Sequence, residues 1–130
     1  FVCAPAVLDG YLRPVGKKDI FLAGQMTGVE GYLESTAMGL VSALFMTAQL
    51  RDAPMPDFPL ETAIGSLLNY IRTAIPKTFQ PMNVNLGIFP KLEGKKIKRR
   101  TERCEAYHER AIGAMRDFIK SHAELFTCDK

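Results

Sequence analysis

The chain has 130 residues, of which 47% are hydrophobic, and a formal net charge of +3. This length and apolar content predict a single compact unit with its own core. Three cysteines without C-x-x-C spacing argue against a disulfide framework or a zinc site, and no signal peptide or apolar run of ~18 residues is present. We therefore expect no metal site, no membrane partner and a reducing, cytoplasmic setting.

The first elements are predicted to be an extended opening over residues 1–7, a turn-rich section, and a buried strand over residues 20–23. A glycine-rich turn follows, and a helix then runs from Gly31 or Tyr32 to about Leu50. Apolar residues surround nearly the whole circumference of this helix, so it is expected to have neighbours on most sides.

The order of strand, glycine-rich turn and helix is typical of cofactor sites in α/β proteins, because the helix N-terminal N–H groups face the bound group. Gly24, Gly28 and Gly31 fit neither the G-x-G-x-x-G fingerprint nor a Walker motif. On the pattern alone, a structural connection between strand and helix is therefore an equal alternative to a ligand-facing loop.

Two more helices are predicted in the remainder of the chain. The prolines of residues 52–59 indicate a loop, and an apolar stripe then predicts a helix from Glu61 or Thr62 to Thr73. Residues 79–90 are predicted to be extended or looped, and a last helix starts between Lys95 and Glu102 and ends near His122.

Two motifs identify a family. The run GQMTGVEGYLES at residues 24–35, with FQPMNVNLG at residues 79–87, closely resembles the C-terminal part of the folate- and FAD-dependent tRNA (uracil-5-)-methyltransferases. This is the TrmFO family, which is related to the GidA-type flavoproteins. The resemblance extends along most of the chain and includes CAPAVL at residues 3–8 and FPLETAIG at residues 58–65.

The resemblance implies an α/β fold that is rich in α-helix. Residues 1–50 would be the C-terminal portion of a glutathione-reductase-like FAD-binding domain and contribute its closing strand and helix, and residues 51–130 would be a helical C-terminal segment packed on it. The chain contains no strand-G-x-G-x-x-G-helix unit and no initiating Met, so the adenosine-diphosphate half of the FAD site is expected upstream. Phe1 is accordingly expected to be a boundary left by truncation or processing.

The implied activity is methylation of C5 of the T-loop uridine in tRNA. Such enzymes use FAD as cofactor and take NAD(P)H and 5,10-methylenetetrahydrofolate as co-substrates. The chain alone is expected to be inactive, because it would contain only part of the FAD site. The partners would be tRNA and the upstream FAD-binding portion of the same protein.

Cofactor contacts are predicted in the glycine-rich turn. Gln25 is the leading candidate, since its amide offers a donor and an acceptor to the polar edge of a flavin, although it alternatively only braces the turn. Glu30 and Glu34 are interpreted as acids that complement the helix dipole. The full set of predicted cofactor residues is Gly24, Gln25, Thr27, Gly28, Val29 and Gly31.

Substrate contacts are predicted at Tyr32, Asn83 and Asn85. The aromatic face of Tyr32 suits a pterin or a base, but a buried core tyrosine is the alternative. The asparagine amides match the donors and acceptors of a pterin, but Asx-type bonds within their own loop explain them equally well.

A basic cluster precedes and opens the last helix, and a phosphate backbone is its predicted partner because positive charge is concentrated there. A solvated helix start is the alternative. The predicted RNA-binding residues are Lys95, Lys96, Lys98, Arg99, Arg100 and Arg103, with Lys91 beside them.

No catalytic residue is predicted in this chain. Cys104 lies beside Arg103, but the family motifs align no catalytic cysteine here, so Cys3, Cys104 and Cys128 are interpreted as noncatalytic. Two alternatives to the methyltransferase remain: a piece of the related flavoprotein that modifies the tRNA wobble uridine, and an RNA-binding helical module without chemistry. Gly28-Val29-Glu30-Gly31 favours the methyltransferase over the former.

Overall fold

A computed structural model describes residues 1–94 and 97–127. Its α-helices are α1 (Ala4–Val7), α2 (Tyr32–Leu50), α3 (Ala63–Thr73) and α4 (Arg100–Ser121). Short 3-10 helices lie at Gly24–Thr27, Pro76–Thr78 and Ala123–Leu125. The three long helices match the predicted bounds closely, and the helix-rich character of the fold is confirmed.

The predicted extended opening is wrong, because residues 4–7 form a helical turn. Pro5 stands in the first turn of α1, where its fixed φ suits a helix and its missing N–H costs no intrahelical bond. The N–H of Leu8 closes the turn on the Ala4 carbonyl at 2.9 Å.

The predicted strand at residues 20–23 is also wrong. The segment forms no ladder, and Leu22 donates one backbone hydrogen bond to the Leu12 carbonyl at 2.9 Å. Over residues 1–94 and 97–127, β-pairing is limited to isolated bridges between Leu8 and Pro14 and between Val29 and Met82. An extended apolar segment becomes a strand only when neighbouring strands pair with it, and the described residues provide none.

Helices α2 and α3 supply most of the core. The buried residues of α3 follow its predicted stripe, with Leu67, Leu68 and Ile71 inside. Thr62 caps α3, since its Oγ1 accepts the Gly65 N–H at 3.0 Å and donates to the Pro59 carbonyl at 2.7 Å. Aromatic rings continue the core from α2 to α4, because Phe45 contacts Phe58 at 5.9 Å between ring centroids and Phe58 stacks on Phe118 at 4.7 Å.

A polar cluster fastens the turn at residues 9–13 to α2. Asp9 pairs with Arg13 at 2.7 Å, and Arg13 Nη1 donates to Gln49 Oε1 at 2.8 Å. Burial alone raises the pKa of Asp9, but hydrogen bonds from the Arg13 guanidinium and from the N–H groups of Tyr11 and Arg13 outweigh it, so the pKa lies below its usual value.

Candidate cofactor loop and basic segment

The loop that joins residues 20–23 to α2 is shaped by glycines. Gly28 follows the 3-10 turn with φ of 86°, and Gly31 precedes α2 with φ of 89°. Both values lie in the left-handed region that favours glycine. Gly31 provides no side-chain cap, so the first-turn N–H groups of α2 keep no intrahelical partner.

The structure brings the two family motifs together in space. Val29 forms a parallel bridge with Met82, whose N–H donates to the Gly28 carbonyl at 3.3 Å and whose carbonyl accepts the Glu30 N–H at 3.0 Å. Glu34 Oε1 accepts the Val84 N–H at 3.2 Å. The sequence pattern indicates only a complement to the helix dipole at Glu34 and does not predict this contact. The contact ties the start of α2 to the second motif.

Gly28 has a structural explanation in addition to its predicted cofactor role. A Cβ at this position would overlap with the Phe79 ring, which stacks on Tyr70 at 5.6 Å. Tyr70 in turn donates its hydroxyl to the Gln80 carbonyl at 2.7 Å. A side chain at Gly28 would therefore disturb this aromatic packing whether or not a ligand is bound.

A pocket of about 180 Å³ opens beside the loop. It is lined by Phe1, Gln25, Val29, Glu30 and Pro81. The Gln25 side chain is exposed, and its amide forms no hydrogen bond within the described part of the chain. The turn is instead closed by backbone, because the Gly28 N–H donates to the Gln25 carbonyl at 3.1 Å. The Gln25 amide is therefore not needed to brace the turn and is free to meet a ligand.

The other predicted cofactor residues divide by exposure. Thr27 and Val29 are fully buried, and Thr27 Oγ1 donates to the Gly24 carbonyl at 2.8 Å. Their side chains hold the loop, so any ligand contact from them has to come from the backbone. Gly24 and Gly31 are partly exposed.

The predicted substrate residues have different environments. Tyr32 is 95% exposed, so the alternative of a buried core tyrosine is wrong. Asn85 Oδ1 accepts the Gly87 N–H at 2.9 Å and its Nδ2 donates to the Asn83 carbonyl at 3.2 Å, which is the Asx-type arrangement. The amide of Asn83 is exposed, close to Gly31. Tyr32 and Asn83 thus flank the start of α2, whereas Asn85 supports its own loop.

The basic cluster of residues 91–103, called the basic segment from here on, precedes and opens α4 as predicted. Lys91, Lys98, Arg99 and Arg100 are exposed, whereas Arg103 is partly buried. Arg99 forms an exposed ion pair with Glu102 at 3.3 Å, and Lys95 and Lys96 lie outside the described residues. Arg110 joins this segment to α4, because its guanidinium donates to the carbonyls of Pro90 at 2.7 Å and Lys91 at 3.1 Å.

Cys3, Cys104 and His122 do not line the pocket beside the loop. Cys3 Sγ is 3.5 Å from the Pro76 carbonyl, Cys104 is exposed, and Cys128 lies outside the described residues. His122 stacks on Phe118 at 4.4 Å. Over residues 1–94 and 97–127, no group of His, Cys, Asp and Glu is arranged to hold a metal, and no helix is long and apolar enough to cross a membrane.

Residues 1–54 match the family model described as glucose inhibited division protein A. The chain is 47% identical over 116 residues to the methylenetetrahydrofolate–tRNA-(uracil-5-)-methyltransferase TrmFO of Listeria monocytogenes serovar 1/2a, which covers 89% of the chain and 26% of that protein. The proteins of the same name from Desulforudis audaxviator and Syntrophotalea carbinolica are 44% and 49% identical, over 95% and 86% of the chain and 28% and 24% of their own length. The chain spans about a quarter of the length of these relatives, and by this similarity it belongs to the TrmFO family.

Proposed function

We propose that the chain is part of a flavoprotein that uses methylenetetrahydrofolate and reduced FAD to methylate C5 of the T-loop uridine in tRNA. The observation that carries the proposal is the pairing of the two family motifs through Val29 and Met82, beside a pocket lined by Gln25. The names of the relatives supply the reaction, the folate and the tRNA. NAD(P)H as the source of electrons and a cytoplasmic setting belong to the same proposal.

The residues around the loop fit a flavin. The free amide of Gln25 suits the donors and acceptors of a flavin pyrimidine ring, and the uncapped N–H groups of α2 suit a ring oxygen that carries partial negative charge. When bound, the reduced flavin would supply the electrons that convert a methylene group into a methyl group. A pocket of about 180 Å³ is smaller than a typical small-molecule site of roughly 300 Å³ or more, so other parts of the enzyme would complete it.

Substrate contacts are proposed at the start of α2. The exposed ring of Tyr32 offers an aromatic face for a pterin or a base, and the exposed amide of Asn83 lies beside Gly31. Asn85 is proposed as an indirect contributor, because its side-chain bonds hold the loop that presents Asn83.

The solvent face of α2 fits a further partner, the rest of the same polypeptide. Leu33 is 80% and Leu50 is 78% exposed, and Leu40 and Met46 lie between them. Glu34 is the one charged residue of α2, and it is already bonded to the Val84 N–H. We therefore propose that residues 1–50 complete the FAD-binding domain, of glutathione-reductase type, and that residues 51–130 form the helical segment attached to it.

The flavin contact is tested with Gln25→Ala in the enzyme that contains this chain. Loss of the amide should leave polar flavin atoms unpaired and weaken flavin binding by about 1–3 kcal/mol, measured as a dissociation constant by fluorescence. Gln80→Ala is the matched control, because Gln80 is also exposed but does not line the pocket. Equal flavin affinity in both variants and the wild type would remove Gln25 from the site.

The RNA contact is tested by replacing Lys98, Arg99 and Arg100 with Gln in the same enzyme. Each lost phosphate contact should reduce the slope of log affinity against log salt by about 0.7 to 0.9 for any tRNA sequence, with NADPH oxidation unchanged. Arg116→Gln with Lys120→Gln is the matched control at the other end of α4. If both sets of variants keep the wild-type slope, the segment is only a solvated helix start.

The 130-residue chain by itself should bind no FAD and show no methyl transfer, because part of the pocket would be missing. The measurement is visible absorption after gel filtration with added FAD. Stoichiometric flavin binding by the chain alone would show that the proposed division of the site is wrong.

A further inference from the structure

Two arginines contact the ring of Tyr11 but differ in their hydrogen bonds. The guanidinium carbons of Arg13 and Arg72 lie 5.2 Å and 5.9 Å from the ring centroid. Each guanidinium nitrogen of Arg13 has a partner, because Nε and Nη2 bond Asp9 and Nη1 bonds Gln49. Arg72 donates no hydrogen bond to any atom of residues 1–94 and 97–127, although its side chain is only 26% exposed.

The Arg72 guanidinium lies at an open cavity. Its Nε is buried without a partner among the described residues and lies beside Gly10, where a Cβ would be at an ordinary contact distance of 3.7 Å from this atom. The cavity measures about 550 Å³ and is lined by Gly10, Tyr11, Met55, Pro56, Asp57 and Arg72. The Nε–H of Arg72 is a buried donor without an acceptor among the described residues, which is unfavourable unless an acceptor arrives, and the other N–H groups of the guanidinium lie at the cavity.

The neighbouring carboxylate does not satisfy these donors. Asp57 Oδ1 lies 3.7 Å from Arg72 Nη1, beyond hydrogen-bond distance, and the Asp57 side chain is 93% exposed. A pair at this distance whose carboxylate lies in solvent contributes little. The position of Arg72 in the last turn of α3 complements the helix dipole but uses none of its N–H groups.

We infer that the Arg72 guanidinium forms an oxyanion-binding site at the cavity beside Gly10 and Tyr11, separate from the cofactor loop and the basic segment. Its ligand is a phosphate or carboxylate group, whose oxygens match the guanidinium fork. The Asp57 carboxylate competes with the ligand for Arg72, and a bound ligand replaces Asp57 as the partner of the guanidinium.

The site is tested by nuclear magnetic resonance on the 130-residue chain, titrated with inorganic phosphate in one arm and sodium acetate in the other, at constant ionic strength. The Arg72 Nε–H signal should shift with a saturable curve in at least one arm, which identifies the ligand class. The amides of Gly10 and Tyr11 should shift with the same dissociation constant. The exposed Arg116 serves as the internal control and should show no saturable shift.

Two variants give effects of opposite sign, read at the Gly10 amide. Arg72→Gln should weaken binding by about tenfold or more, because charge-assisted bonds are lost. Asp57→Asn should tighten binding by about two- to fivefold, because the competing charge is removed. The inference is overturned if neither anion shifts Arg72, or if both variants bind as the wild type does. It is also overturned if both variants weaken binding alike, because that result is expected if Arg72 and Asp57 only stabilise the fold together.

Discussion

Helices α2 and α4 are both long, but they differ in how many residues they bury and in the charge of their exposed faces. Helix α2 buries Met38, Val41, Ser42, Leu44, Phe45 and Ala48, and its exposed face is apolar. In α4, Phe118 is the buried residue among those described, and charged side chains recur along the rest. The exposed surfaces of the two helices therefore differ in the partner that each one suits. An uncharged face suits another part of the protein, whereas a charged one suits solvent or a polyanion.

The largest expected effect lies in the core of α2. Phe45→Ala should lower the free energy of unfolding by about 3–5 kcal/mol, because a fully buried ring that contacts Tyr11 and Phe58 is replaced by a cavity. Urea unfolding followed by circular dichroism measures the loss. A loss no larger than that of an exposed-site variant such as Met46→Ala would contradict the assignment of Phe45 to the centre of the core.

The corresponding change in α4 should be more local. Phe118→Ala removes the ring that stacks on Phe58 and His122. Hydrogen exchange should then show lost protection in α4, while the amides of α2 and α3 keep theirs. If protection falls equally in all three helices, α4 is as much a part of the core as α2, and the contrast between the two helices fails.

The loop before α2 should be the next most sensitive region. Gly28→Ala places a Cβ on a residue with φ of 86° and against the Phe79 ring. The left-handed conformation alone costs about 1–2 kcal/mol, and the overlap adds to it. Thermal unfolding measures the effect, with Gly16→Ala as the control, since that glycine shares the positive φ but has open space around it. Equal losses in both variants would show that Phe79 adjusts freely.

A matched pair of glycines separates the two helix surfaces. Gly39 in α2 and Gly113 in α4 are both mid-helix with open space where a Cβ would lie, so replacement of either by Ala should stabilise the chain by about 0.5–1 kcal/mol. In the longer enzyme, only Gly39→Ala should reduce stability, because its face is proposed to pack against the rest of the protein. Equal behaviour of both variants in the longer enzyme would contradict that proposal.

The smallest expected effect is the pH dependence contributed by Asp9. Its folded pKa lies below the ordinary value of 3.8, so its stabilising contribution is complete above that pH and is lost as the pH falls through the folded pKa. The difference in unfolding free energy between the wild type and Asp9→Asn should therefore shrink on acidification to about pH 3. A difference that does not vary with pH would mean that the Arg13 pair contributes nothing through this carboxylate.

The sequence by itself determined the three long helices and the family. These elements are encoded by local signals, namely the apolar spacing at Leu67, Leu68 and Ile71 and the prolines of residues 52–59. Such signals can be read from the sequence without knowing which segments pack against each other. The motifs at residues 24–35 and 79–87 were recognisable for the same reason. The cofactor and RNA contacts assigned to them remain predictions.

Only the tertiary structure decided how these segments meet. The apolar segment at residues 20–23 is not a strand because strand formation depends on partners far away in sequence. The bridge between Val29 and Met82, the Phe79 ring that occupies the space beside Gly28, and the unused donors of Arg72 likewise depend on residues distant along the chain. Local periodicity reports the angular spacing of side chains on one element, whereas each of these contacts is fixed by the packing of several elements at once.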